Sequence, residues 1–190
     1  MNAAPAAEDF HMRVQQRLVA GSVVSILCAI ANMPARAESC PGGYAPAFHL
    51  GGAVASPRNY DAEELAGLPS ARQSVDFYAG SSGLVAQTYV GVPLIDLLTS
   101  AQVVVDASIK NDILRKFVVV TGSDCYETIL SLGELRPDFG GSAQVLVAYA
   151  TGDGSPLGAS EGAMRLVVPG DKKGGRYVSN IVRISVRSAR

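Results

Sequence analysis

Histidine and cysteine are scarce in this chain, and their scarcity narrows its chemistry. The 190 residues hold two histidines, His11 and His49, and three cysteines, Cys28, Cys40 and Cys125. Their spacing closes no zinc site, which needs four soft or imidazole ligands brought together. Net charge is nearly absent too: 16 basic residues against 17 acidic ones give −1 at pH 7. A balance of that kind carries no nucleic-acid footprint, because backbone phosphates are bound by a basic patch. Neither a P-loop nor a G-x-G-x-x-G is present, so the usual phosphate cradles are missing. Gly152-Asp153-Gly154 lacks the carboxylate spacing of a calcium loop. Gly158-Ala-Ser160-Glu-Gly162 does fit G-x-S-x-G, but a nucleophile elbow needs a strand before it and a helix after it. Here a Pro/Gly turn precedes the match and a strand-like run follows, so an ordinary turn is expected.

Long hydrophobic runs are lacking as well. The longest, from Leu18 to Ile30, falls short of the roughly 20 residues that a membrane span needs. It follows Arg13 and Arg17 and precedes Ala35-Arg36-Ala37, a small-x-small site. Positive region, apolar run and cleavage site in that order describe an export signal. Residues 1–37 are therefore expected to be the signal, with Met12 the natural start and cleavage after Ala37. The product would be periplasmic or secreted, without a membrane span. It keeps His49, Cys40 and Cys125. In an oxidising compartment those two cysteines either pair or remain free thiols, and sequence alone leaves both open.

Beyond a Pro/Gly-rich extension at 38–47, the chain reads as one domain over 48–190. Phe48 to Val54 is strand-like, and Ser56-Pro57-Arg58-Asn59 breaks it. In that strand His49 alternates with Phe48 and Leu50, and so faces solvent or a polar pocket. Asp61-Ala-Glu-Glu64 has the spacing of a capping box opening a short helix. Arg72 to Ala79 and Leu84 to Val90 form a hairpin through Gly80-Ser-Ser-Gly83. At Gly91 the chain is expected to turn into a helix, with Pro93 in its first turn and Leu94, Leu97 and Leu98 on one apolar stripe. Asn111-Asp112 is placed to cap a helical turn, and Ser131-Leu-Gly-Glu134 repeats the capping-box spacing. Lys116 to Thr121, Tyr126 to Leu130, Gln144 to Ala150, Met164 to Val168 and Tyr177 to Val186 read as further strands. About eight strands and about three short helices, never alternating as βαβ units, predict an α+β domain with a mixed, mostly antiparallel sheet. Between the last two strands Lys172-Lys-Gly-Gly-Arg176 is basic and glycine-bearing. It is either a phosphate-binding loop or a solvated hairpin tip.

The order of these motifs resembles the oxidoreductase molybdopterin-binding domain, the catalytic domain of sulfite-oxidase-type enzymes, in a small exported form. The resemblance rests on Leu50-Gly-Gly-Ala-Val-Ala-Ser-Pro57, Tyr89-Val-Gly-Val-Pro-Leu-Ile-Asp-Leu-Leu98 and Val119-Val-Thr-Gly-Ser-Asp-Cys-Tyr126. It continues through Ser131-Leu-Gly-Glu-Leu135, Gly152-Asp-Gly-Ser-Pro-Leu157, Arg165-Leu-Val-Val-Pro-Gly-Asp171 and Gly175-Arg-Tyr-Val178. What it implies is a sulfite-oxidase-like fold and molybdopterin as cofactor. Metal-bearing members of the family hold molybdenum through the pterin dithiolene and one protein cysteine, on the strand before the Gly-Val-Pro-Leu corner. The matching run here, Val75 to Ser81, puts Tyr78 at that place. A phenol, with a reference pKa near 10, is a poor substitute for a soft thiolate.

The residues that the resemblance places around the cofactor are Tyr78, Asp124, Cys125, Lys172, Lys173 and Arg176, with the three basic ones toward its phosphate. None is assigned as a catalytic group or metal ligand. Two functions are therefore expected in competition. One is an exported molybdopterin-dependent oxidoreductase, and the other a non-catalytic module on the same fold that binds a small-molecule ligand or an exported partner protein.

Overall fold

A computed structural model describes residues 40–80, 82–139 and 144–189. The expected export signal lies outside them. Two sheets carry the fold. The first joins β1 (Ala47–Gly52), β2 (Arg58–Asp61), β5 (Lys116–Gly122), β6 (Glu127–Ser131) and β9 (Ile181–Ser188) in the order β2-β1-β9-β5-β6. The second joins β3 (Ala71–Ala79), β4 (Gly83–Pro93), β7 (Leu146–Thr151) and β8 (Arg165–Val167) in sequence order. Among the strand pairs of the described residues only β1 with β9 is parallel, and the others are antiparallel. The α+β, mostly antiparallel fold is thus present. Among the described residues no helix is long and apolar enough to cross a membrane.

Helix α1 (Ala62–Ala66) starts where the capping box places it. Asp61 accepts from the Glu64 N–H at 2.8 Å, and Glu64 accepts from the Asp61 N–H at 3.2 Å. Leu65 is its one buried residue. Replacing Asp61 by alanine should cost about 1 kcal/mol, read as a lowered urea midpoint, while Asp61→Asn should cost less. Helix α2 (Leu94–Ala101) buries Leu94, Leu97 and Leu98, the stripe read from the sequence, and Ala101 as well. Each buried leucine contributes about 1.5–3 kcal/mol by leaving water. These side chains join Phe48, Leu50, Phe77, Tyr89, Val118, Leu146, Leu166 and Ile184 in one core drawn from both sheets.

Several boundaries differ from the sequence reading. Ser56-Pro57-Arg58-Asn59 does not simply break β1: the chain returns at Arg58 as β2, pairing Phe48 with Tyr60, whose rings stack at 5.5 Å. Gly91 does not end its strand either. β4 runs on to Pro93, and a register shift at Val90/Gly91 takes the place of the turn. Gly91 is required there because a Cβ would run into the backbone of Val147 and Ala148. Pro93 precedes α2 as its N-cap, in extended geometry, one place earlier than expected.

Asn111 sits at φ 54° without capping by its side chain, and the turn after it is 3-10 (Asp112–Arg115). Ser131 caps α3 (Leu132–Leu135) by accepting from the Gly133 N–H, one residue short of Glu134, so the cap forms without the capping box. β9 starts at Ile181 and not at Tyr177, because residues 174–176 wind into a 3-10 turn.

Candidate functional site

The end of β3 meets the basic loop. The Tyr78 N–H donates to the Lys172 carbonyl at 2.9 Å, and Tyr78 bridges Lys173 in parallel. Gly174 lets this approach happen: a Cβ there would lie 3.0 Å from the Phe77 ring. Between the two segments lies a cavity of about 640 Å³. Phe77, Tyr78, Ala79, Gly80 and Gly83 form one side, Lys173, Gly174 and Gly175 the other, and Arg165 contributes a cation. The two strands of the expected hairpin pair up to Ala79 and Gly83.

Arg165 stands at the start of β8 among three aromatic rings. Its guanidinium carbon is 5.6 Å from the Phe77 ring centre, 5.8 Å from Tyr89 and 5.5 Å from Tyr177. Phe77 and Tyr177 stack at 4.2 Å. Glu161 is its counter-ion, and the Tyr89 hydroxyl donates to that same carboxylate at 2.8 Å. Burial raises the Tyr89 phenol above its ordinary range, and the hydrogen bond to Glu161 adds to the effect. Burial pushes the Tyr177 phenol up to about 12. Its hydroxyl is buried without a hydrogen-bond partner among the described residues, as is the Arg165 Nε. Both phenols stay neutral at physiological pH. The site offers aromatic faces beside the basic side chains of Arg165 and Lys173.

The residues expected around a cofactor are placed in different ways. Tyr78 and Lys173 line the cavity, and the Lys172 carbonyl helps to shape it. The Tyr78 side chain is exposed, and neither lysine makes an ion pair among the described residues. Arg176 is already held by carboxylates. Asp171 accepts from its Nε at 2.8 Å and from a terminal N–H at 2.6 Å, and Glu134 accepts at 2.9 Å. The Asp171 hydrogen bond raises the Arg176 guanidinium further still. Asp124 folds onto its own turn, accepting from the Tyr126 N–H at 3.0 Å. Cys125, at φ 62°, is bonded to Cys40 with 5.4 Å between Cα atoms. The open choice between disulfide and free thiols is decided by that bond.

Glu161, Arg165, Tyr89 and Tyr177 carry no site role in the sequence reading, although all but Glu161 stand in the motifs quoted for the resemblance. One signal for them existed: Arg165 is a charge at the head of the apolar run Leu166-Val-Val168, and a buried strand tolerates a charge only when it is paired. Ser160 of the G-x-S-x-G match sits in an exposed turn, as expected. His49 is exposed, with Nδ1 2.8 Å from the Asn59 Oδ1. Among the described residues no group of histidine, cysteine and carboxylate side chains is arranged to hold a metal ion.

Known proteins agree with this architecture. The sulfane dehydrogenase SoxCD from Paracoccus pantotrophus superposes with a TM-score of 0.60 at 21% identity, over 75% of this chain and 38% of that one. The likeness concerns the fold, and the chain covers well under half of that protein's length. No curated protein matches the sequence. The family described as oxidoreductase molybdopterin binding domain matches residues 46–190, nearly the whole of the described domain. The chain belongs to the oxidoreductase molybdopterin-binding domain family.

Proposed function

We propose that this protein is an exported ligand-binding member of its family, working in the periplasm or outside the cell without molybdenum chemistry of its own. The observation that carries the reading is the Cys40–Cys125 bond. It occupies both cysteine sulfurs of the described residues, so neither is a thiolate able to ligate a metal. The donor set does not fit a molybdenum-carrying pterin in other respects. The resemblance aligns Tyr78 with the ligand cysteine, and Arg176 is neutralised by Asp171 and Glu134. What the cavity does offer is a wall of aromatic and glycine surface, with Lys173 as a cation that makes no ion pair among the described residues and Arg165 already paired with Glu161. Such a lining suits a small, partly apolar organic anion. Its apolar body would lie along Phe77 and Tyr78, and its charge near Lys173.

The deciding experiment is metal and pterin analysis of protein exported by cells that make the cofactor. The expected result is molybdenum and pterin at background, together with no free thiol in the folded chain. Stoichiometric molybdenum would overturn the proposal. It would favour instead the second reading, a cofactor-dependent oxidoreductase, which family membership over residues 46–190 supports.

A further inference from the structure

β3 is the terminal strand of its sheet, and only its far end is covered. There the outward N–H of Tyr78 is taken by Lys172. Backbone groups alternate in direction along an antiparallel strand, so Asp76, Ser74 and Arg72 also turn their N–H and C=O outward. No other strand or loop is hydrogen-bonded to the edge at those three residues among the described ones. All three side chains are exposed, on the face opposite buried Val75 and Phe77. Asp76 makes no ion pair or hydrogen bond among the described residues. Arg72 gives one guanidinium N–H to the Gly152 carbonyl and pairs with no carboxylate.

This edge is complementary to itself. In an antiparallel pairing about a two-fold axis at Ser74, each Arg72 stands opposite the other copy's Asp76. The same register matches outward N–H to outward C=O at all three positions, and no other register opposes both charge pairs. We propose that a second copy of this chain docks here, joining two four-stranded sheets edge to edge through β3. Charges on an edge usually discourage pairing. Opposite charges directly across a ladder favour it, and an isologous contact presents both pairs at once. The Lys172 contact at Tyr78 limits the ladder to residues 72–76, so the association is a weak, concentration-dependent dimer.

Charge reversal tests the register. Sedimentation of the exported protein from low-micromolar to near-millimolar concentration should show a monomer–dimer equilibrium. Arg72→Asp and Asp76→Arg should each weaken dimerisation by roughly tenfold or more, by placing like charges across the ladder. The double variant R72D/D76R restores both pairs and should recover the dimer. Ser74→Cys gives a readout that does not depend on those variants folding. Cα atoms about 5.5 Å apart at the axis fall in the disulfide range, so oxidation should yield a covalent dimer. Ala86→Cys, one strand inward, should yield none. A wild-type protein monomeric throughout, a folded double variant as monomeric as the singles, or a Ser74→Cys variant that does not cross-link would each overturn the proposal.

Discussion

Reduction of the Cys40–Cys125 bond, or its replacement by two serines, is expected to destabilise the domain by about 2–5 kcal/mol. The bond closes a loop of 85 residues in sequence separation, so it removes much conformational freedom from the unfolded chain. In the folded protein it ties the first described residues to the turn between β5 and β6. Neutral hydrogen bonds hold the same segment as well. Gly42 donates to the Ser123 carbonyl at 3.1 Å, the Ser123 hydroxyl donates to Gly43 at 2.6 Å, and the Ala45 N–H donates to the Asn180 Oδ1 at 3.1 Å. Each contributes about 1 kcal/mol at most. The next residue, Tyr126, reaches the cavity loop, donating its hydroxyl to the Gly175 carbonyl at 2.5 Å.

Thermal unfolding with and without reductant checks the expectation, with mass spectrometry confirming thiol formation. For a domain of this size the melting temperature should fall by about 5–15 °C. An unchanged midpoint in fully reduced protein would show that the bond constrains nothing that folding must order.

Glu161→Ala should cost more than a typical surface change, about 3–5 kcal/mol, because it strands a guanidinium among aromatic rings. Arg165 is 14% exposed and Glu161 20%, so water compensates little for the missing carboxylate. The three rings around Arg165 attract its charge but accept no hydrogen bonds of carboxylate strength. Tyr89, whose hydroxyl donates to Glu161, loses its acceptor in the same variant. Glu161→Gln keeps the shape and one acceptor and should cost less. Arg165→Met in the Glu161→Ala background should recover part of the loss, because burying neither charge is better than burying one. Urea unfolding of the three variants measures this order. Equal stability of Glu161→Ala and the wild type would mean that Arg165 finds solvent after all. The same substitution frees the cavity's cation, so added small anions should raise the midpoint of Glu161→Ala more than that of the wild type.

Local sequence dictated most of the elements. Asp61 and Glu64 cap α1 as their spacing requires, since both hydrogen bonds lie within one turn. The leucine stripe of α2 and the β-branched run of β5 are equally local, and both are buried where expected. Boundaries failed where a distant partner made the decision. β2 exists because Tyr60 can lie against Phe48. β4 runs through Gly91 because β7 pairs with it on both sides of the register shift.

The candidate site was legible in its loop and hidden in its floor. Tyr78 and Lys173 were named from motif order, and they do line one cavity. Arg176 looked like a phosphate ligand because basic residues beside glycines so often are. Its carboxylates, Asp171 and Glu134, come from its own loop and from α3, and the second is invisible to local reading.

By itself the sequence determined the α+β class, the capped and amphipathic helices and the placing of a basic glycine loop after β8. These depend on periodicity and on contacts a few residues apart. Tertiary structure alone decided that Cys40 reaches Cys125, that Arg176 is neutralised, and that Glu161, Arg165 and two tyrosines share one buried cluster. The reason is physical. Burial and pairing set what a charge or a thiol can do, and both are properties of chain segments that meet only on folding.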